Sequence, residues 1–274
     1  SYEGLSSAKR RRLSQALHHL LELKHENLVT YYTVVNDRPR QQYLLVSEHI
    51  GRSFLTETAR RSDKRIFNTN SDIENGLAEL LSAIRYIFGR HMHIEALRLI
   101  GASLFPHNLY LTECGQIKLA VRPNISNTML QEELARSPEL RPADLRYDRL
   151  SEQSTVFQLG YILFQMLLTA DDFTEFTSQK AYLLSLHCQR RFGATLSGLV
   201  ERMLRTVAAD RPLLTDLQET YGSQERLTQI EICRGICRTK SGKTQLMRSA
   251  GANAWRQLTL YTPFQKLCLD ASGN

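Results

Sequence analysis

Between Ala8 and Lys24 the leucines at 13, 17, 20, 21 and 23 recur at three- and four-residue intervals, the spacing that puts apolar side chains on one face of an α-helix. The pattern predicts a helix that stops at His25-Glu26-Asn27, where a turn-forming Asn appears. Two β-rich runs follow, Leu28 to Val35 and Gln41 to Glu48, and the polar loop from Asn36 to Arg40 between them predicts an antiparallel hairpin. From Asp72 to Phe88 the residues Ile73, Leu77, Leu80, Leu81, Ile84 and Ile87 form a wide apolar stripe, which predicts a long amphipathic helix. Asn108 to Leu111 and Gln116 to Val121 are short apolar runs around Glu113-Cys114-Gly115, a second hairpin signal. The stretch from Tyr86 to Gly101 carries no assigned element and reads as a connector.

Val156 to Leu168 is apolar on nearly every side. A helix of that kind is buried all round, so it is expected at the centre of a helical layer. Leu196 to Leu204 and Leu213 to Tyr221 supply further helical pieces, separated by Ala208 to Pro212. Past Gly222 the periodicity fades. Between Arg226 and Arg256 seven Lys and Arg residues face Glu231 alone, which predicts a basic appendage able to meet nucleic acid. The expected division is therefore a domain over 1–222 and an appendage over 223–274.

Charge and cysteine usage narrow the setting. The formal net charge is +7, a lean that favours acidic partners. Cys114, Cys188, Cys233, Cys237 and Cys268 are odd in number and mostly far apart, which suits reduced thiols rather than a disulfide framework. No apolar run approaches the roughly 18 residues of a membrane span, and no apolar core follows the early cluster Lys9-Arg10-Arg11-Arg12. The expectation is a cytoplasmic protein without a membrane span.

Several local strings resemble a protein kinase from its C-helix onward. His25-Glu26-Asn27-Leu28-Val29 looks like the turn before the fourth kinase strand, and Tyr43 to Ile50 looks like the fifth strand entering the hinge. Leu104-Phe105-Pro106-His107-Asn108 and the following LYLTECGQIKLA are similar to the catalytic loop and the strands leading to the magnesium-binding motif. Ser137-Pro138-Glu139 looks like the close of the activation segment, Ser151 to Gly160 like the start of the F-helix, and Asp210-Arg211-Pro212 like the bend before the last kinase helix. The resemblance covers roughly residues 8 to 221. It implies an α+β, protein-kinase-like fold with a mostly helical C-lobe, and an N-lobe truncated to the C-helix and a hairpin. The texture of SEHI, PHN and GQIKLA is also faintly similar to the kinase-like domain of TBC-domain proteins and to the pseudokinase module of the translation-initiation-factor kinases that sense amino-acid starvation.

Carried over residue by residue, the resemblance puts Ser103 where the family has its catalytic Asp and Phe105 where it has the catalytic-loop Lys. Asn108 keeps the metal-binding Asn position. The Asp-Phe-Gly motif falls on Val121, Arg122 and Pro123, the C-helix Glu on His18, and the F-helix Asp on Thr155. Phosphoryl transfer depends on placed charge, including carboxylates on magnesium and near the incoming hydroxyl. On those substitutions the chain is expected to be a pseudokinase, not an enzyme, with no cofactor, no metal site and no small-molecule substrate, acting as a regulatory or scaffolding module for a protein partner. Asn108 and the hinge backbone at Glu48 and Ile50 are the positions left to hold a nucleotide weakly. The resemblance also implies a structural ion pair between Glu139 and Arg211. Two alternatives stand beside this reading: a divergent serine/threonine kinase or nucleotide-binding regulator with displaced catalytic groups, in which Glu95 or Glu113 replaces the Asp, and a basic scaffold touching RNA.

Other motifs yield less. Ser241-Gly242-Lys243-Thr244 lacks the earlier glycine of a phosphate loop, since that position is Cys237. Cys233 and Cys237 have no second ligand pair nearby for zinc.

Overall fold

A computed structural model describes residues 5–54, 69–112, 115–123, 130–131, 134–135, 150–167 and 193–222. The expected appendage over 223–274, Ser137-Pro138-Glu139, and Glu113 with Cys114 lie outside the described residues. The described residues are α+β and mostly helical, with two small sheets among them.

Helix α1 spans Ser7–Glu22 and buries Leu13, Leu17 and Leu20 on one face. Its N-cap Ser6 accepts a hydrogen bond from the Lys9 amide at 3.4 Å, satisfying one of the unpaired N–H groups of the first turn. Strands β1 (Tyr31–Asp37) and β2 (Gln42–Ser47) pair antiparallel with Val35 opposite Leu44 and Asp37 opposite Gln42. The hairpin sits two to three residues later on its first strand than the composition predicts. The reason is the turn: Gln41 takes a left-handed φ of 48°, which composition without a glycine does not announce, and residues 28–29 leave the hairpin to bind another strand.

Helix α2 (Asn70–Arg90) begins in a capping box. The Asp72 amide donates to Thr69 Oγ1 at 3.1 Å, and the Thr69 amide to Asp72 Oδ2 at 3.0 Å, so two donors are satisfied reciprocally. Its buried stripe contains all six predicted apolar positions. The segment read as a connector is instead a helix, α3 (His93–Ser103), which buries Ala96, Leu97 and Ile100 at helical spacing. Strand β3 (Arg52–Ser53) pairs with β4 (Leu109–Leu111), and β4 with β5 (Ile117–Leu119), all antiparallel. The second hairpin is thus part of a three-stranded sheet. Residues 27–29 join β5 from its free side: the Val29 amide donates to Leu119 O and the Leu119 amide to Asn27 O, each at 2.9 Å.

Helix α4 (Glu152–Leu167) is buried on nearly every side, as its composition demands. A helix over 193–203, α5, and α6 (Leu214–Tyr221) pack beside it. A single hydrophobic core runs from Leu13 of α1 through Ile84, Leu119 and Phe164 to Met203 and Leu217. Among the described residues no helix is long and apolar enough to cross a membrane.

The crossing of α4 and α5 is close because Gly160 has no side chain. A Cβ there would stand 2.6 Å from Met203 Cβ, an atom tied to its backbone. Gly160→Ala should therefore cost about 1–3 kcal/mol by overpacking, although Ala improves helix propensity by about 1 kcal/mol. A lowered urea midpoint is the expected result.

Candidate functional site

Ser103, Phe105, Asn108 and residues 121–123, six of the positions singled out by sequence, lie where the end of α3, the turn over Pro106–Asn108 and the exit of β5 meet. Helix α3 ends at Ser103, and its buried hydroxyl belongs to two segments at once. Ser103 Oγ donates to Leu99 O at 2.5 Å within the helix and accepts the Arg122 amide at 2.8 Å. Asn108, fully buried, donates through Nδ2 to Ser103 O at 3.1 Å, while its carbonyl accepts the Ala120 amide at 2.8 Å. Phe105 is completely buried beneath this turn, and its ring stacks on His107 at 5.5 Å.

The segment leaving β5 is held from the opposite side by Tyr31, whose hydroxyl donates to Val121 O at 3.1 Å. Burial pushes the Tyr31 phenol well above its ordinary value, with the nearby Arg122 guanidinium opposing the shift; burial raises Tyr110 as well, against the same cation. Arg122 is half-buried, whereas Val121 and Pro123 are buried. Ser103, Asn108, Val121 and Arg122 are thus brought together, with backbone and neutral groups supplying the hydrogen bonds.

Thr155 is buried and turns its hydroxyl back to Ser151 O at 3.3 Å. One turn later, Gln158 takes up the neighbouring backbone: its Nε2 donates to Gly101 O at 3.1 Å and to Leu104 O at 3.2 Å. Sequence reasoning missed Gln158, although a polar residue inside the apolar run of α4 was the available signal. A polar group in such a place is retained only with partners. The F-helix position of the resemblance would supply an acceptor; here the contact to this loop is made by a donor. His18 stands on the exposed side of α1, with Nδ1 at 2.7 Å from Ser14 O.

Just past β2, Glu48 is committed through both backbone and side chain. Its amide donates to Thr30 O at 2.8 Å and its carbonyl accepts from Ser47 Oγ at 3.0 Å. Its Oε1 accepts the Thr30 amide at 2.8 Å and meets Lys118 Nζ at 2.7 Å. Ile50 is half-buried beyond this junction. His25 lies close by: the Asn27 amide donates to its Nδ1 at 3.1 Å, so in the neutral ring Nε2 carries the proton and faces Ser82 Oγ at 3.2 Å. Burial, and then the Lys118 charge, lower its pKa below 6.5.

Arg211 is 4% exposed and caps a different junction. It donates from Nε to Arg205 O at 2.7 Å, from Nη1 to Gln153 O at 2.9 Å and from Nη2 to Thr206 O at 3.3 Å, with its guanidinium over Phe157 at 4.8 Å. Glu139, its expected partner, lies outside the described residues. A pocket of about 290 Å³ opens elsewhere, between Arg85, Phe88, His93, Glu152 and Leu214, and none of the predicted site residues lines it.

No family model matches the chain. A curated relative, described as "Probable serine/threonine-protein kinase nek2" from Dictyostelium discoideum, is 22% identical over 227 residues, which is 79% of this chain. The match spans 53% of that relative's length, about half of it. It supports a kinase-like protein. It also corrects one expectation: the chain was read as not an enzyme, and the relative it resembles is named as an enzyme, a serine/threonine kinase.

Two outcomes follow for this site. Ser103→Ala removes a buried hydroxyl that bridges the amide of half-buried Arg122 and the Leu99 carbonyl and should cost about 1 kcal/mol, read as a lower urea midpoint with an unchanged m-value. His25 has a folded pKa below its unfolded one, so its contribution to stability is present above about pH 6.5 and is lost as pH falls below it. Unfolding free energy should decline from pH 7 to pH 5, with a shallower slope in His25→Gln; equal slopes would remove His25 from the account.

Proposed function

We propose that this kinase-like domain acts on a protein partner by binding it, in a regulatory role, through a domain over 1–222 followed by a basic appendage over 223–274. The observation that supports this reading is the state of Ser103. At the position that the resemblance gives to the catalytic carboxylate stands a neutral hydroxyl, buried and bonded to Leu99 O and the Arg122 amide. Such a group organises two segments and does not take up a proton near neutral pH. The widely spaced cysteines go with a cytoplasmic setting. In a regulatory role, such a domain would bias its partner between two states through contacts made in only one of them.

A second reading is favoured by the name of the relative: a divergent serine/threonine kinase, in which a carboxylate from elsewhere does the work. Glu95 is exposed on the first turn of α3 and is the described candidate.

Thermal unfolding with ATP, with magnesium or with EDTA, paired with label transfer from ATP in the same samples, separates the two readings. Binding of a ligand to the folded state alone raises the midpoint. The binding role predicts a midpoint that ignores magnesium, and label incorporation unaltered by Asn108→Ala. A magnesium-dependent rise, with label incorporation that Asn108→Ala or Glu95→Gln abolishes, would establish the divergent kinase instead.

A further inference from the structure

We propose that the exposed cationic start of α1 is a docking surface for an acidic segment of a partner protein. This rests on the binding role proposed above and names the surface that would serve it. Lys9, Arg10, Arg11 and Arg12 are all exposed and lie in the first turns of a 16-residue helix. No acidic residue occupies the first turn, so these cations sit at the positive end of the helix dipole, where cations are disfavoured. The helix offers them no internal relief. The positions four residues on from Lys9, Arg11 and Arg12 hold Leu13, Gln15 and Ala16, and Lys9 and Arg12 face one another at three-residue spacing. Among the described residues no carboxylate pairs with Lys9, Arg11 or Arg12. Arg10 is used differently, donating from Nε to Leu5 O at 2.9 Å and tying the entering chain to the helix.

The rest of the exposed face decides the kind of partner. From Arg11 and Arg12 it continues through Gln15, His18 and His19, and carries no aromatic ring on which a base could stack. Membrane-surface helices use their apolar face for the lipid, but the apolar face of α1, with Leu17 at 0% and Leu20 at 1% exposure, is already spent on the core. What remains exposed on the first half of the helix is mainly cationic, with Ala8 beside the cluster and the one exposed carboxylate, Glu22, at the far end. Its complement is a run of Asp and Glu on a protein surface, held by charge-assisted hydrogen bonds to the Arg forks.

The test titrates the full chain into a fluorescently labelled peptide of alternating Glu and Ala, read by anisotropy. Binding should weaken as salt rises. The triple variant Lys9→Gln, Arg11→Gln, Arg12→Gln should bind about tenfold more weakly or worse, while its melting temperature stays unchanged or rises, since the substitutions relieve the helix start. A peptide of alternating Lys and Ala should not bind. No binding by the parent chain, or equal binding by parent and triple variant, would overturn the proposal. So would tighter binding, through the same three cations, to a short DNA duplex or to phosphatidylserine vesicles. The magnesium and label measurements do not involve these residues, so failure here removes the surface without deciding the binding role.

Discussion

Strand β5 has three residues, yet nearly every other element is fixed by reference to it. On one side it pairs with β4; on the other its backbone is bonded to residues 27–29, the turn that leaves α1. The Ile117 amide donates to buried Glu79 of α2 at 2.9 Å, and Ile117 O accepts from Asn27 Nδ2 at 3.2 Å. Lys118 reaches Glu48, just past β2, and the residues just past β5 are held by Tyr31 and Ser103. A short strand that sets Ile117 and Leu119 into the core must have its backbone groups paired, because an unpaired one there costs about as much as a lost hydrogen bond. That requirement brings the turn after α1, α2, β4 and the segment after β2 together at one point.

Much of this was legible in the sequence. Helices α1 and α2 each carry many apolar positions at one period, and periodicity sums over length. The six-position stripe of α2 emerged intact, and the all-round apolarity of α4 placed it in the core. Helix α3 was not legible as a helix because the sequence leading into it, Gly89-Arg90 at the end of α2 and then His91-Met92, reads as a break, and because its N-cap position, Met92, has no side-chain cap. The hairpin shifted because residues 28–29 are bonded to Leu119, some 90 residues away in sequence. No local pattern encodes such a partner. The same limit hid Gln158, whose role depends on the carbonyls of Gly101 and Leu104 across the core.

At the candidate site, sequence supplied the list of residues and the structure supplied their employment. Ser103, Asn108, Val121 and Arg122 do come together, whereas His18 faces solvent and Thr155 bonds within its own helix. The hydrogen bonds uniting the first group run mainly between neutral groups and backbone. The network is not complete, since Asn108 Oδ1 is buried and finds no hydrogen-bond partner among the described residues, and an unmet buried acceptor is costly.

That contrast bears on how the kinase-like relationship is weighed. Relatedness at 22% identity carries the scaffold more securely than it carries roles at single positions, since function resides in the placed groups of a site. The cation at Arg122 illustrates the difference. Beside two buried phenols it stabilises their ionised forms and offsets part of the desolvation that opposes them. A metal carboxylate in its place would act with the opposite sign and raise both pKa values further. Around these two phenols the Arg122 charge therefore works against burial, and burial is the larger of the two effects.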